Sequence, residues 1–527
     1  MNSSLNLTGI DTIAEPIPKL NDVQGLILRG YNLPYVRYVI FTINDIEGAR
    51  RFCKQILPGS NALLNVTTAQ PWQDGKKPPY CLNVGFTAAG LKKLINQGQF
   101  DTVKSKSLNY FNVFDGDAAE IADRIADTGT SASEHWWKNA GGWLSPVPPA
   151  VDGSDLHIQV SIFAHGSDSL DFYYQTLLKM VPAGTNGPAM NAVFFKDSEP
   201  LLQGDDYIHF GYKDSFSQPR LTSVPWNTTQ GKLLGGKSTV DDRPVVPIDQ
   251  FVIAINKFPT PSNPNNCKPH PLLENGSFAA FRLLYQDVKA FNKYVNSATD
   301  GTSAELVAAK MCGRWFDGTP LVVSPDKPNP NLKDFDYTNF NYLYRTDNQK
   351  GDRKNDDLGQ LCPYAAHIRR TNPRDDVKVK GNMKPDGTAS YAETRRIMRR
   401  AGPYGPDYKE GEEGEVKRGL VGLFICANLN EQFVFIMDLW IKQAGFRPDN
   451  DKSPNSSGCD PLFGPDKSTP PNNEFDYLPD GATDQPYKRM PGLERFIRTD
   501  GSLFLFLPGI KALEDISNGI IPTKPQS

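Results

Sequence analysis

The residue whose surroundings most suggest chemistry is His367, one of six histidines in the 527-residue chain. The segment before it, Leu361-Cys-Pro-Tyr-Ala-Ala, is mostly small and apolar, and Arg369, Arg370 and Arg374 follow it. A neutral imidazole in apolar surroundings is a good ligand for haem iron, and nearby guanidinium groups can pair with the haem propionates. The same arginines could equally form surface salt bridges, so both interpretations stay open at this point.

The other five histidines favour structural or solvent-exposed roles. His135 stands beside two tryptophans, and we expect it to be partly buried. His157, His165 and His209 lie in or beside predicted strands and are interpreted as structural. His270 lies between two prolines, which predicts a solvated loop position.

Two further segments carry residues that could act on a bound ligand. Asp214 lies between an apolar segment and Pro219. An aspartate there is typical of a turn or a helix cap, and the functional alternative is a general base in a buried pocket. Arg399 belongs to a basic segment that reads as a surface strand. If Arg399 points inward instead, its charge would stabilise a bound hydroperoxide anion.

The elements that must position these residues follow from the pattern of apolar residues. In the first half of the chain we predict strands at 37–43, 79–86, 157–164, 194–195 and 207–210, with helices at 45–57, 87–94 and 168–180. In the second half we predict strands at 251–255, 276–284 and 420–427, with helices at 286–295, 302–314 and from the last strand to about 444. Strands followed by helices in two comparable halves indicate an α+β fold of two sheet-and-helix units. Segments 316–360 and 446–490, rich in Pro, Asn, Asp and Gly, are predicted to be long loops.

The composition narrows the class of protein. Net charge is −3, so nucleic acid and anionic membranes are poor candidate partners. Seven scattered cysteines without a CxxC pair predict reduced structural thiols. The first 20 residues lack the basic and apolar regions of a secretory signal, so we expect a cytoplasmic protein, while export by a non-classical route stays open. No apolar run is long enough to cross a bilayer.

The three chemical segments together resemble the dye-decolourising peroxidase (DyP-type) family. Gly211-Tyr-Lys-Asp214-Ser215 followed by Ser217-Gln218-Pro219 is similar to the family's GxxDG and S-Q-P motif. CPYAAHIRRTNPR around His367 resembles its proximal-histidine segment, and Arg399 before Pro403-Tyr404-Gly405 resembles its distal arginine. The order along the chain agrees, and the likeness extends over most of the chain.

This resemblance implies a pair of ferredoxin-like halves with antiparallel sheets covered by helices, as in the dimeric α+β barrel superfamily, and haem in the C-terminal half. The expected division is a leader at 1–20, an N-terminal half at 21–235 with the distal aspartate, a C-terminal half at 236–515, and a tail at 516–527. The long loops resemble those of the larger family members.

The resemblance also implies a mechanism with one haem b per chain and His367 as the proximal iron ligand. Asp214 would take a proton from hydrogen peroxide and return it to the leaving oxygen, while Arg399 stabilises the charge. An oxoferryl intermediate would then oxidise dyes, phenolics or similar one-electron donors. Arg374, Ser217 and Gln218 would contact the cofactor. The expected assembly is a monomer or homodimer.

The family places a carboxylate against the far nitrogen of the proximal histidine, which raises its basicity. Because Glu431 follows the 420–427 strand, we assign this role to it, with Asp438 as the alternative. Both residues could instead lie on a solvent-exposed face of a helix. The candidates for electron transfer are Trp315, Tyr342 and Trp440. The competing interpretation is that each of them packs in the core.

One departure from the family pattern is Ser215, where glycine is usual. A Cβ there disfavours some backbone geometries, which puts the rate of peroxide cleavage in question. The alternative function is therefore a haem-binding protein with weak peroxidase activity, used in haem or iron handling or as a non-catalytic cargo.

Overall fold

The computed structural model describes residues 18–72, 76–144, 154–214, 220–221, 245–253, 268–332, 337–338, 340–342, 356, 358–376, 395–443, 446, 458–464, 473–479 and 487–523. Several predictions fall outside these residues. They concern the leader up to residue 17, the tail from residue 524, Ser215, Ser217, Gln218 and large parts of the loops 316–360 and 446–490. The boundary at 235–236 also lies outside them, so the division into those two ranges stays a prediction.

Eight long strands form one antiparallel sheet. They are β1 (Tyr35–Ile43), β2 (Tyr80–Phe86), β3 (Ile158–Ala164), β4 (Met190–Ser198), β5 (Ser277–Gln286), β6 (Met398–Tyr404), β7 (Gly419–Cys426) and β8 (Ile497–Leu507). All seven residues of β3 and all ten of β5 are buried. Strands buried on both faces read as continuous apolar runs, which is why these segments could be recognised in the sequence.

The strand order in the sheet is β6-β7-β5-β8-β2-β3-β1-β4. The first half contributes β1 to β4 and the second half β5 to β8. When the strands of each half are numbered 1 to 4 along the chain, both halves have the order 2-3-1-4, which is the arrangement of a ferredoxin-like unit. The halves join where Phe506 of β8 pairs with Phe86 of β2. At the opposite edges, Glu199 next to β4 donates a backbone hydrogen bond to Pro403 of β6 at 3.0 Å. The predicted α+β fold of two ferredoxin-like halves is confirmed, and the two half-sheets form one continuous sheet.

Helices connect and cover the strands. The described α-helices are Gly25–Leu28, Ile46–Gln55, Ala88–Ile95, Gln97–Lys106, Leu108–Phe114, Asp117–Glu120, Ser167–Lys179, Val288–Val295, Ala304–Cys312, His367–Thr371 and Ile510–Ser517. Several begin at a polar cap, such as Asp45, whose side chain accepts from Gly48 N at 2.7 Å. Short strands pair at 183–184 with 187–188, 220–221 with 245–246, and 474–477 with 488–491. No described helix has the length and apolar character that crossing a membrane requires.

Some local predictions were wrong. Residues 251–253 form a turn after the 3-10 helix Ile248–Gln250, and 207–210 form turns with an isolated bridge from Tyr207 to Lys213. The helix predicted after β7 is present, but it is wound as a π-helix over Asn430–Val434 and Ile436–Ile441. A π-helix rotates each side chain differently from an α-helix, so positions inferred from 3.6-residue spacing do not apply there.

Three histidines, His135, His165 and His270, differ in burial from what the sequence predicted. His135 is exposed, and His270 is buried because its ring accepts from Leu272 N while its backbone N–H donates to Ser107. His157 and His209 are buried and hydrogen-bonded as predicted, whereas His165 is exposed. Six of the seven cysteines are described, all as free thiols.

Candidate functional site

His367 is the first residue of the helix His367–Thr371, and its ring nitrogen Nδ1 lies 2.7 Å from Asp460 Oδ2. The Asp460 side chain is 0% exposed, whereas that of His367 is 27% exposed. Because a carboxylate only accepts, Nδ1 is the donor in this contact, and Nε2 is the ring nitrogen left to face a metal. Asp460 is itself held by backbone N–H groups of Leu462 at 2.9 Å and Phe463 at 3.3 Å. The arrangement is a carboxylate-supported histidine ligand.

The assignment of Glu431 or Asp438 as the carboxylate beside His367 was wrong. Glu431 is 59% exposed and pairs with Arg395, and Asp438 lies 3.2 Å from Arg124. The carboxylate that reaches His367 comes instead from a segment 93 residues further along the chain. No periodic pattern marked Asp460, because the path of a Pro- and Asn-rich segment decides where it lies.

Arg370 fastens the segment that carries Asp460. Its guanidinium is fully buried and donates to the end of the π-helix and to the residue two positions before Asp460. The acceptors are the carbonyls of Trp440 at 2.6 Å, Gln443 at 2.8 Å, Ile441 at 3.2 Å, and Gly458. Arg370 thus connects the helix that carries His367 to the end of the π-helix and to the segment that carries Asp460.

Arg369 is equally internal. Its guanidinium lies between the rings of Tyr342 and Tyr364, with its carbon 4.4 and 4.1 Å from their centroids. It bonds the carboxylates of Asp356 at 2.8 Å and Asp376 at 2.7 Å. Arg369 and Arg370 are therefore buried structural groups, and the structure contradicts both a propionate contact and a surface salt bridge for them.

Arg374 remains the arginine of this segment that suits an anionic ligand. Its guanidinium carbon lies 3.9 Å from the centroid of the Phe340 ring, and it donates to Phe340 O at 2.9 Å. Arg314 lies 5.5 Å from the same centroid. Burial, and next the charge of Arg374, lowers the pKa of Arg314 to about 10. The guanidinium groups of Arg314 and Arg374 therefore form a cationic region beside the Phe340 ring. The sequence analysis did not identify Arg314.

Asp214 and Arg399 come together although they are 185 residues apart. Arg399 Nη2 lies 2.9 Å from Asp214 Oδ1, and Nη1 lies 3.1 Å from Oδ2, a two-pronged ion pair. The side chains are 41% and 34% exposed, so both can meet a ligand from solvent. Arg399 lies on β6, and its side chain points to Asp214. The interpretation of this segment as a basic surface strand had predicted that the side chain points to solvent.

Backbone contacts hold the Asp214 segment in place. Lys213 N donates to Phe316 O at 2.8 Å, and Asp214 N donates to Asp206 O at 2.6 Å. The Tyr212 hydroxyl donates to Ala308 O at 2.7 Å. Gly211 has a φ of +88°, a conformation that favours glycine.

The histidine and the ion pair flank the C-terminal end of the helix Ala304–Cys312. Burial raises the pKa of the Cys312 thiol to about 12, and the carboxylates of Asp214 and Asp460 add to the rise. The next residue, Gly313, packs closely on Ile368, since a Cβ there would lie 2.4 Å from Ile368 Cγ1. A candidate ligand on His367 and a candidate acid–base pair thus share one region.

No family model matches the chain, whereas several characterised proteins and solved structures are similar to it. The chain is 27% identical to a dye-decolorizing peroxidase of Auricularia auricula-judae, over 94% of this chain and 86% of the relative. It is 26% identical to the multifunctional dye peroxidase of an Amycolatopsis strain, over 97% and 99%. A solved ancestral D-type dye decolorizing peroxidase matches with a TM-score of 0.70 and 25% identity, over 95% of this chain and 100% of that one.

The relatives and solved structures to which the chain is similar are dye-decolourising peroxidases. The resemblance seen in three motifs is confirmed, and the chain is an enzyme of that peroxidase class. The three candidates for electron transfer, Trp315, Tyr342 and Trp440, are all buried. Their burial fits the core-packing interpretation, while a role in electron transfer stays a prediction.

Proposed function

We propose that this chain is a haem peroxidase that binds one haem b through His367, reduces hydrogen peroxide and oxidises dyes, phenolics or similar one-electron donors. The observation that carries the proposal is the 2.7 Å bond from His367 Nδ1 to the buried Asp460 carboxylate. A surface histidine has no need of a buried carboxylate, whereas an iron ligand gains basicity and a fixed orientation from one.

The residues around His367 fit haem by their chemistry. The Nε2 lone pair suits iron, and the Phe463 ring is nearly parallel to the imidazole at 6.2 Å between centroids. Arg314 and Arg374 are two cations near one ring, and guanidinium groups are suitable partners for the two propionates. Arg374 is the predicted cofactor contact and Arg314 an added one, while Ser217 and Gln218 remain predictions outside the described residues.

Bound haem would supply an iron centre that accepts peroxide and passes oxidising equivalents to a donor. The chain's own part in that chemistry is acid–base and electrostatic. An ionised Asp214 can take the first peroxide proton on a carboxylate oxygen and deliver it to the departing oxygen. The Arg399 guanidinium stabilises the anion left behind. The two side chains bond each other at 2.9 Å, so the proposed base and the stabilising charge lie side by side.

The test separates haem binding from peroxide chemistry. Apoprotein titrated with haem should develop a Soret band that His367→Ala loses, since the imidazole is the proposed ligand. Arg399→Leu should keep haem yet slow the reaction with peroxide by at least about a hundredfold, because one preorganised charge contributes a few kcal/mol to such a barrier. Asp214→Asn is the companion variant that removes the base and keeps the shape. Glu431→Gln is the matched control, since that side chain is more than half exposed.

Stopped-flow absorption with one equivalent of peroxide gives the decisive readout. Rapid loss of the Soret band, reversed by a reducing dye, supports the peroxidase. A normal Soret band that barely responds to peroxide would contradict it and favour the alternative, a haem-binding protein with weak activity. Retention of the Soret band by His367→Ala would remove His367 as the ligand.

A further inference from the structure

The strand that carries Arg399 lies at one edge of the sheet. β6 pairs with β7 along one side, and in the described part of the chain β7 is its one ladder partner. The backbone groups on the open side of an edge strand need partners from elsewhere. Near the end of β6 that partner is the segment after β4, since Glu199 N donates to Pro403 O at 3.0 Å. Around Arg399 itself, two side chains hold the strand instead.

Tyr38 is the first of these side chains. It lies on β1, is 1% exposed, and its hydroxyl donates to Arg400 O at 3.1 Å. Its ring centroid lies 5.7 Å from that of Phe281 on β5. Tyr38 therefore reaches from a strand of the first half to two strands of the second half, and its hydroxyl bonds the backbone of the residue directly after Arg399.

The second is the side chain of Arg400. Its Nε donates to Leu26 O at 2.8 Å, and its Nη1 donates to Arg399 O at 3.2 Å. Leu26 belongs to the buried helix Gly25–Leu28, which precedes β1. The carbonyls of Arg399 and Arg400 are thus both bonded by side chains, and the Arg400 guanidinium connects β6 to a helix of the first half.

The placement of β6 against the first half decides where Arg399 meets Asp214. Asp214 is held by its own segment, since its backbone N–H donates to Asp206 O at 2.6 Å. Arg399 Nη2 lies 2.9 Å from Asp214 Oδ1, so the ion pair joins the segment after β4 to β6. Groups that act together on one ligand must be held to within about 0.5 Å. A shift of β6 by that distance would change the position of the charge relative to the base.

We propose that Tyr38 and Arg400 are positioning residues that set the geometry of the ion pair between Arg399 and Asp214. Both act through the backbone of β6, at the carbonyls of Arg399 and Arg400. The effect on peroxide chemistry rests on the proposed function, whereas the effect on the ion pair does not. A bond that is merely structural contributes to stability alone, and a positioning bond also changes the rate of the reaction.

Tyr38→Phe is the test variant, because it removes the hydroxyl and keeps the ring that packs on Phe281. Tyr294→Phe is the matched control. Tyr294 is 6% exposed, and its hydroxyl donates to Met490 O at 3.1 Å, which is the same kind of bond at the same length. Each variant loses one hydroxyl bond to a carbonyl, so the two should lose similar stability.

The first measurement is the crystal structure of each variant as purified, which requires no activity. In Tyr38→Phe the distance from Arg399 Nη2 to Asp214 Oδ1 should grow by about 0.5 Å or more, because β6 loses one of its two attachments beside Arg399. In Tyr294→Phe the distance should equal that of the wild type. An unchanged ion pair in Tyr38→Phe would overturn the proposal.

The second measurement is the rate constant for the reaction with hydrogen peroxide, followed by stopped flow on the haem-loaded variants. Tyr38→Phe should lower it by about tenfold with an unchanged Soret band, because a displaced charge stabilises the reacting ligand less well. In an Arg399→Leu background the same change should have no further effect, since it acts through Arg399. Persistence of the loss in that background, or equal rates of Tyr38→Phe and Tyr294→Phe, would refute the positioning role.

Arg400→Met is the second variant, and it should reproduce both results. A wild-type protein that does not react with peroxide would refute the proposed function, and the crystal structures of the variants would still decide this inference.

Discussion

The Asp460 carboxylate gives the sharpest test of how this protein would control its iron ligand. Asp460→Asn removes one charge and keeps the shape of the side chain. Asn Oδ1 can still accept from Leu462 N and Phe463 N, so the local turn should survive. Asp460→Ala would be a poorer choice, because it leaves those two buried N–H groups without their acceptor.

The magnitude follows from burial and distance. The lost bond is a charge-assisted contact of 2.7 Å to a carboxylate that is 0% exposed. Loss of such a partner behind a metal ligand typically costs about 10- to 100-fold in affinity. We therefore expect the haem dissociation constant to rise by that factor, about 1.4–2.7 kcal/mol. Where the loss falls on ferric haem alone, each tenfold step raises the reduction potential by about 59 mV.

The assay is a haem titration of apoprotein followed at the Soret band, with a spectroelectrochemical measurement of the midpoint potential. Glu431→Gln and Asp438→Asn are matched controls, because each also removes one carboxylate charge, here from a more exposed ion pair. Exposed pairs contribute about 0–1 kcal/mol, so both variants should behave like the wild type. If Asp460→Asn matches wild-type affinity and potential, or if Glu431→Gln shifts them more, the reasoning fails.

Three further predictions concern stability. Arg370→Met should lower the free energy of unfolding of the apoprotein by about 3 kcal/mol or more, since it strips buried carbonyls of a charged donor; urea denaturation measures this. Arg282→Met should cost about 3–5 kcal/mol in the same assay, because it leaves the buried carboxylate of Asp127 without its ion-pair partner. Burial lowers the pKa values of His157 and His270 from 6.5 to about 4, so folding keeps both rings neutral. The stability that the two neutral rings contribute is fully present above pH 6.5 and is lost as the pH falls towards 4. By pH 5 the free energy of unfolding should fall by roughly 1–2 kcal/mol for each ring, which denaturation at pH 7 and pH 5 measures.

Each of these has a clear contrary result. Arg370→Met that unfolds at the wild-type urea concentration would show that its carbonyl contacts add nothing. A variant with Asp127→Asn added to Arg282→Met should recover stability, and a further loss would contradict the buried-charge argument. For the histidines, equal acid sensitivity of the wild type and of a protein with both rings changed to Gln would refute the assignment.

The sequence determined the parts of this protein that depend on contiguous residues. The segments around Asp214, His367 and Arg399 each carry a local motif, so they could be recognised without knowing where they lie in space. The strands β3, β5 and β7 could also be predicted, because each is a continuous apolar run, which is typical of a buried strand. β8 and the helix Ile510–Ser517 were overlooked, although residues 503–507 form a continuous apolar run that could have predicted the strand.

The tertiary structure decided which distant residues meet. Asp460 reaches His367 across 93 residues, and Arg370 turns inward to the carbonyls that fix the Asp460 segment. Side-chain type gave no sign of either, because a carboxylate on an exposed helix and one on a buried loop look alike in a sequence. Local pattern reports what a residue can do, whereas burial and the path of the chain select the partner with which it does so.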